Sequence, residues 1–231
     1  MTKETASEKE LLVDKDTGKS QLSRRKFLGY AGAASGIVLL AACNKNDDNT
    51  EGVDLGSGDT GILNYAYALE QLEAAFYTQV LLTPYSGITA AESAHLKDIR
   101  DHEIAHREFF KNALGGNAIP GLEVNFSTIN FSSRDSVLGT AKAFEDLGVS
   151  AYNGAGKLIK LADYLVIAGK IVSVEARHAA LIRDLISNGT FANSEVIDAN
   201  GLDKSRTPME VLAIAGAYVT TKINASNLPT S

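Results

Sequence analysis

From about residue 60 onward, apolar side chains recur every three or four positions in four long stretches. That is the period of an amphipathic helix. The first stretch runs from about residue 60 to 82, with Ala66, Glu70, Glu73, Tyr77 and Val80 on one stripe. Thr83-Pro84-Tyr85-Ser86-Gly87 breaks it. The second opens on Thr89-Ala90-Ala91-Glu92, a capping-box pattern, and stops after Leu114 at Gly115-Gly116. Leu96, Ile99, Glu103, His106 and Phe110 form its inward stripe. Residues 115–132 make a long connection with a strand-like run at Val124-Asn125-Phe126. A third helix is predicted from about Ser133 to Ile159 and a fourth from about Ala162 to Ser187. The join between them is the least defined boundary, because Lys157 to Tyr164 holds no strong breaker. Thr207-Pro208-Met209-Glu210 reads as the capped start of a short helix reaching about Thr220, and the last residues read as frayed. The pattern predicts an all-α fold, a four-helix bundle with a short C-terminal helix closing one end. If the two helix pairs are related by a two-fold, the second and third helices run the same way, and a long crossover must join them.

The inward stripes carry charge. Glu103-Ile104-Ala105-His106 is echoed by Glu175-Ala176-Arg177-His178. Residues three apart on a helix are neighbours, so each stretch aims a carboxylate and an imidazole at one point. Glu70 with Tyr77 precedes the first stretch, and Glu145 with Tyr152 precedes the second. Glu145 follows Glu70 by 75 residues and Glu175 follows Glu103 by 72, so a helix pair is functionally repeated. Four carboxylates crowded inside an apolar bundle would repel one another, each costing several kcal/mol to desolvate. Two divalent cations would cancel those charges, and two neutral imidazoles would complete the shell. Oxygen-rich ligation with imidazole and no thiolate suits iron or manganese over structural zinc. Glu73, one turn from Glu70, has Gly148 as its repeat-mate; it is a candidate added or exchangeable ligand, with Gly148 leaving space for it or for a small oxidant. His102 falls off the stripe and reads as exposed, and His95 as a packing or surface residue.

Composition adds limits. The 231 residues carry a net charge of −6, and removing residues 1–42 takes away 7 basic and 5 acidic residues, leaving −8. An acidic chain makes a poor nucleic-acid partner. Cys43 is the single cysteine, so no intramolecular disulfide forms. Ser23-Arg24-Arg25-Lys26-Phe27-Leu28 resembles a twin-arginine export signal, and Phe27 to Ala42 is a Gly- and Ala-rich apolar run, short for a bilayer of ~30 Å. It ends in Leu40-Ala41-Ala42-Cys43, which resembles a lipobox. Residues 1–42 are therefore expected to be a signal peptide and 43–59 a flexible tether behind a lipidated Cys43. Residues 60–190 would then be the bundle and 191–231 a C-terminal extension. The resemblance implies export by the twin-arginine route and a membrane-anchored lipoprotein of the cell envelope, periplasmic or on the outer face.

Two Glu-x-x-His stretches with a lone glutamate from each of two further helices is a known template of ferritin-like two-metal bundles. The chain resembles the ferritin-like superfamily over roughly residues 60–190. The runs Ala68 to Tyr77 and Val174 to Ala180 resemble a branch that includes desiccation-related proteins. The resemblance implies that Glu103 and Glu175 bridge two metals, with Glu70, Glu145, His106 and His178 as terminal ligands. Tyr77 and Tyr152 would hydrogen-bond the carboxylates from behind. It implies oxidation of Fe(II), or reduction of O₂ or peroxide; a stress-protection or sequestering module and a dimanganese catalase-like activity are the alternatives. A homo-oligomer fits this reading, but a lipid anchor disfavours a closed cage.

Overall fold

The computed structural model describes residues 51–231. The run read as an export signal, and Cys43, lie outside the described residues. Four long helices form the body: α1 (Gly58–Leu82), α2 (Ala90–Leu114), α3 (Arg134–Gly156) and α4 (Ala162–Ile186). A short α5 (Pro208–Ala215) follows, and two two-residue strands, β1 (Val53–Asp54) and β2 (Ile223–Asn224), pair in parallel. The all-α bundle with a long crossover and a short C-terminal helix is what the hydrophobic period predicts. Helix ends agree to within a few residues. Among the described residues, no helix is long and apolar enough to cross a membrane.

The helices begin where the chemistry says they should. Thr89 and Glu92 form a reciprocal capping box at α2, and Thr207 and Glu210 form another at α5. Ser133 caps α3 through the Ser136 amide. The turn between α3 and α4 is different. Its N-cap residue, Leu161, has no side-chain oxygen to offer. Asp59, from the first turn of α1, reaches across and accepts from the backbone N–H groups of Lys160 at 2.7 Å and Leu161 at 2.8 Å. A distant residue supplies this cap, so the local sequence shows no breaker.

Helix α1 is central. Every residue from Gly61 to Glu70 is buried, where the sequence pattern implied one stripe. A helix buried all round is enclosed by the fold. The extra cover comes from segments read above as spacer and tail. Leu55 is fully buried, and the tail pairs with residues 53–54 rather than fraying. Residues 53–59 are thus part of the folded body. Asn64, buried in α1, donates to the carbonyls of Leu55 and Asn117 and accepts from the Ile119 amide. Gln71 accepts from the Leu122 amide. Further along the crossover, Val124 bridges Val219, and Asn125 donates to the Tyr218 carbonyl. The strand-like crossover run therefore finds its partner in the C-terminal extension.

Phe76 anchors the core. Its ring lies 5.1 Å from Tyr77, 5.1 Å from Phe144 and 5.9 Å from Phe126, edge-on in each case. The extension also lies directly on α3: a Cβ on Gly154 would stand 1.7 Å from the Arg206 carbonyl oxygen. Only glycine permits that approach.

The cap at the α3–α4 turn is testable. Asp59→Ala should lower stability by about 1 kcal/mol, read as a fall in thermal midpoint, while Asp59→Asn, which keeps an acceptor, should recover much of it. An unchanged midpoint in Asp59→Ala would contradict the assignment.

A candidate metal centre

All four long helices send acidic or imidazole side chains to one level of the bundle. Glu70 and Glu73 come from α1, Glu103 and His106 from α2, Glu145 from α3, and Glu175 with His178 from α4. Glu70, Glu103, Glu145 and Glu175 have no solvent exposure. Two groups could each hold a metal ion: Glu70, Glu103, His106 and Glu175, and Glu103, Glu145, Glu175 and His178. Glu103 and Glu175 belong to both. The six residues singled out by spacing are brought together.

The geometry is close to two-fold. His106 Nδ1 lies 3.0 Å from Glu175, 3.4 Å from Glu70 and 3.8 Å from Glu103. His178 Nδ1 lies 2.9 Å from Glu103, 3.4 Å from Glu145 and 3.8 Å from Glu175. These are charge contacts rather than aligned hydrogen bonds. Eight buried atoms in this one place have no hydrogen-bond partner: Glu70 Oε2, both oxygens of Glu103, Glu145 Oε2, both oxygens of Glu175, and the Nδ1 atoms of His106 and His178. Buried polar atoms are nearly always partnered, so such a concentration asks for a missing charge. The donor set fits divalent cations.

The remaining oxygens of the two outer carboxylates are taken. Tyr77 donates to Glu145 Oε1, and Tyr152 donates to Glu70 Oε1. The pairing is crosswise: each tyrosine serves the glutamate of the other half. On antiparallel helices, a residue two turns beyond Glu70 sits beside Glu145, and the converse holds for Tyr152. Each bond turns the free Oε2 inward.

Burial and mutual repulsion act on the cluster's protons. Burial, then Glu103, Glu175, Glu145 and Glu70, hold Glu73 well above the usual carboxylate range. Burial and Glu175 do the same to Glu103. Burial raises Glu145 to about 7, against the pull of His178. Burial would also raise Glu175, but His106 and His178 outweigh it and draw the group down to about 2. Burial opposes charge on the imidazoles, yet the surrounding carboxylates lift both to about 12. Burial keeps Tyr77 and Tyr152 protonated, and so as donors.

Glu73 is buried beside the cluster but in neither four-residue group. Its carboxyl occupies the room Gly148 leaves: a Cβ at 148 would stand 3.2 Å from Glu73 Oε1 and 3.6 Å from Glu175 Oε2. His95 is half-buried on α2, outside both groups. His102 is largely exposed, as its position off the stripe suggests, but it is not idle. Its Nδ1 lies 2.9 Å from His178 Nε2, a contact that the helical period did not reveal.

A pH dependence follows for the metal-free protein. Glu73, Glu103, Glu145, His106 and His178 all have folded-state pKa values above their unfolded ones. Between the ordinary carboxylate value and neutrality the folded state therefore binds more protons than the unfolded state, and stability falls as pH rises. Glu175 acts oppositely, but only below its ordinary value, and His102, held low by burial and then by the neighbouring imidazoles, opposes the trend below its own ordinary value. In chelator, the thermal midpoint should drop from about pH 5 to about pH 8, and excess Mn²⁺ should flatten the slope. A metal-free midpoint that rises over this interval would contradict the described electrostatics.

A search of curated proteins gave no match. The sequence pattern of the family described as Ferritin-like domain matches residues 58–188, which spans all four long helices and every residue of the cluster. The chain belongs to the ferritin-like domain family.

Proposed function

We propose that the protein is a dinuclear metal-carboxylate protein that oxidises Fe(II), or reduces O₂ or peroxide, in the bundle core. The observation that carries this reading is the set of eight unpartnered, buried ligand atoms, with Glu103 and Glu175 shared between two groups. In it Glu70, Glu103, His106 and Glu175 would hold one divalent ion, and Glu103, Glu145, Glu175 and His178 would hold the other. Four carboxylates balance two divalent charges when Glu73 carries its proton. That balance supports two ions rather than one. Iron is the favoured metal and manganese the alternative; donors of oxygen and imidazole with no thiolate suit both. A bound pair of Fe(II) ions supplies two electrons at one place, enough to take peroxide to water without a one-electron radical.

The chain's own residues do the rest. Tyr77 and Tyr152 fix the outer carboxylates and shed no protons of their own. Ile62, Ala66, Leu69, Phe110 and Ala151 line a cavity of about 20 Å³ that touches Tyr152 but none of the candidate ligands. Glu73 acts as a reserve carboxyl, held neutral beside Glu175 in the space at Gly148.

We also assign the protein to the cell envelope, exported through the signal at Ser23 to Leu28 and tethered by lipid on Cys43. Twin-arginine export carries folded proteins, which suits a centre loaded before export. Nucleic acid is not a partner in this reading, and any homo-oligomer is not a closed cage.

Metal analysis of the purified protein should find two ions per chain. Stopped-flow oxidation of the Fe(II) form should consume two irons per peroxide. Tight binding without turnover would instead favour a sequestering or stress-protection module, and two manganese ions with O₂ release would favour a catalase-like activity. Absence of bound metal in every condition would overturn the proposal. Glu73→Ala should keep both ions but slow oxidation; unchanged metal content and rate would remove the reserve role.

A further inference from the structure

The two halves of the centre are not equally supported. His178 Nε2 faces His102 Nδ1 at 2.9 Å. The two rings lie within 8° of one plane, with centroids 5.2 Å apart. That centroid distance is the nitrogen separation plus roughly one ring radius on each side. The rings therefore meet edge to edge in a common plane, the arrangement of a straight N–H···N bond, rather than face to face. Among the described residues, no second imidazole is hydrogen-bonded to His106. The repeat position of His102, 72 residues on, is Val174, which has no side-chain acceptor.

One proton lies between His102 and His178, and its owner decides what His178 offers inward. If His178 Nε2 holds it, His178 donates outward, and a cation that displaces the Nδ1 proton meets a lone pair there, beside Glu103 and Glu145. If His102 Nδ1 holds it, a neutral His178 must carry its own proton on Nδ1, and that lone pair is lost. A ligating histidine depends on the partner of its other nitrogen for its tautomer and ring orientation.

We infer that His102 is a positioning residue for His178: it accepts the Nε2–H, fixes the ring in plane, and makes the Glu145–His178 position the tighter of the two metal positions. This rests on the two-metal reading above. His102 itself touches no metal in this arrangement. It sits at the bundle surface, so replacing it leaves the apolar core intact.

The test uses the full chain and Mn²⁺ or Co²⁺ as probe. His102→Ala should weaken one bound ion by about 10–100-fold and leave the other unchanged. His102→Gln should recover most of the loss, because the Gln side-chain oxygen also accepts an N–H. Imidazole-nitrogen NMR of isotope-labelled, metal-free protein supplies a readout independent of loading. It should show His178 Nε2 protonated, His102 Nδ1 bare, and a coupling across the hydrogen bond. The inference is overturned if His102→Ala binds both ions as wild type does, if it weakens both alike, or if the proton sits on His102 Nδ1. Should the wild-type chain bind no ion, the two-metal reading fails, while the NMR result still decides the role of His102.

Discussion

Everything in this fold answers to five buried carboxyl groups held at one level of an apolar bundle. Glu70, Glu103, Glu145 and Glu175 have no solvent exposure and Glu73 almost none, and two imidazoles cannot satisfy them. Burial of unpaired charge costs several kcal/mol per group, a large part of the stability of a domain this size. Without an added cation the cluster must hold protons, which is why several of its acids are pushed upward. With cations the same atoms become a cage. Protons and metal therefore compete for one set of atoms.

The scaffold meets that demand by placing the charges on rigid elements and locking the elements together. Antiparallel α1 and α3 exchange tyrosine-to-glutamate bonds, so each half of the site orients the other. The crossover, β1 and the C-terminal extension wrap α1, which is why that helix is buried on every side from Gly61 to Glu70. Asp59 ties the start of α1 to the start of α4, the helix that carries Glu175 and His178. Arg183, buried near the end of α4, pairs with Asp146 on α3 and with Glu195 in the extension. These contacts are far from the chemistry, but they set the separation of the helices that bring the ligands together.

Much of this was legible in the sequence, and the reasons are local. Capping boxes at Thr89 and Thr207 mark helix starts because they satisfy orphan N–H groups within one turn. The repeated glutamates and histidines declared the site because helical period alone puts them on inward faces. What could not be read was tertiary. The α3–α4 turn is capped by Asp59, about a hundred residues upstream. The tail and the segment before α1 look polar and loose, and acquire order only by pairing with each other. The tyrosine bonds were foreseen, but their crosswise sense requires knowing that α1 and α3 run oppositely. His102 escaped because off-stripe residues read as solvated, and only the neighbouring helix reveals its partner.

The most direct measurement is anomalous diffraction from crystals of the manganese-loaded protein. The account predicts two peaks inside the bundle, roughly 3.5–4 Å apart. One should lie within bonding distance of donor atoms from Glu70, Glu103, His106 and Glu175, and the other within bonding distance of Glu103, Glu145, Glu175 and His178. A crystal grown in saturating metal that shows no peak among these residues, or only peaks on the outer surface, would contradict it.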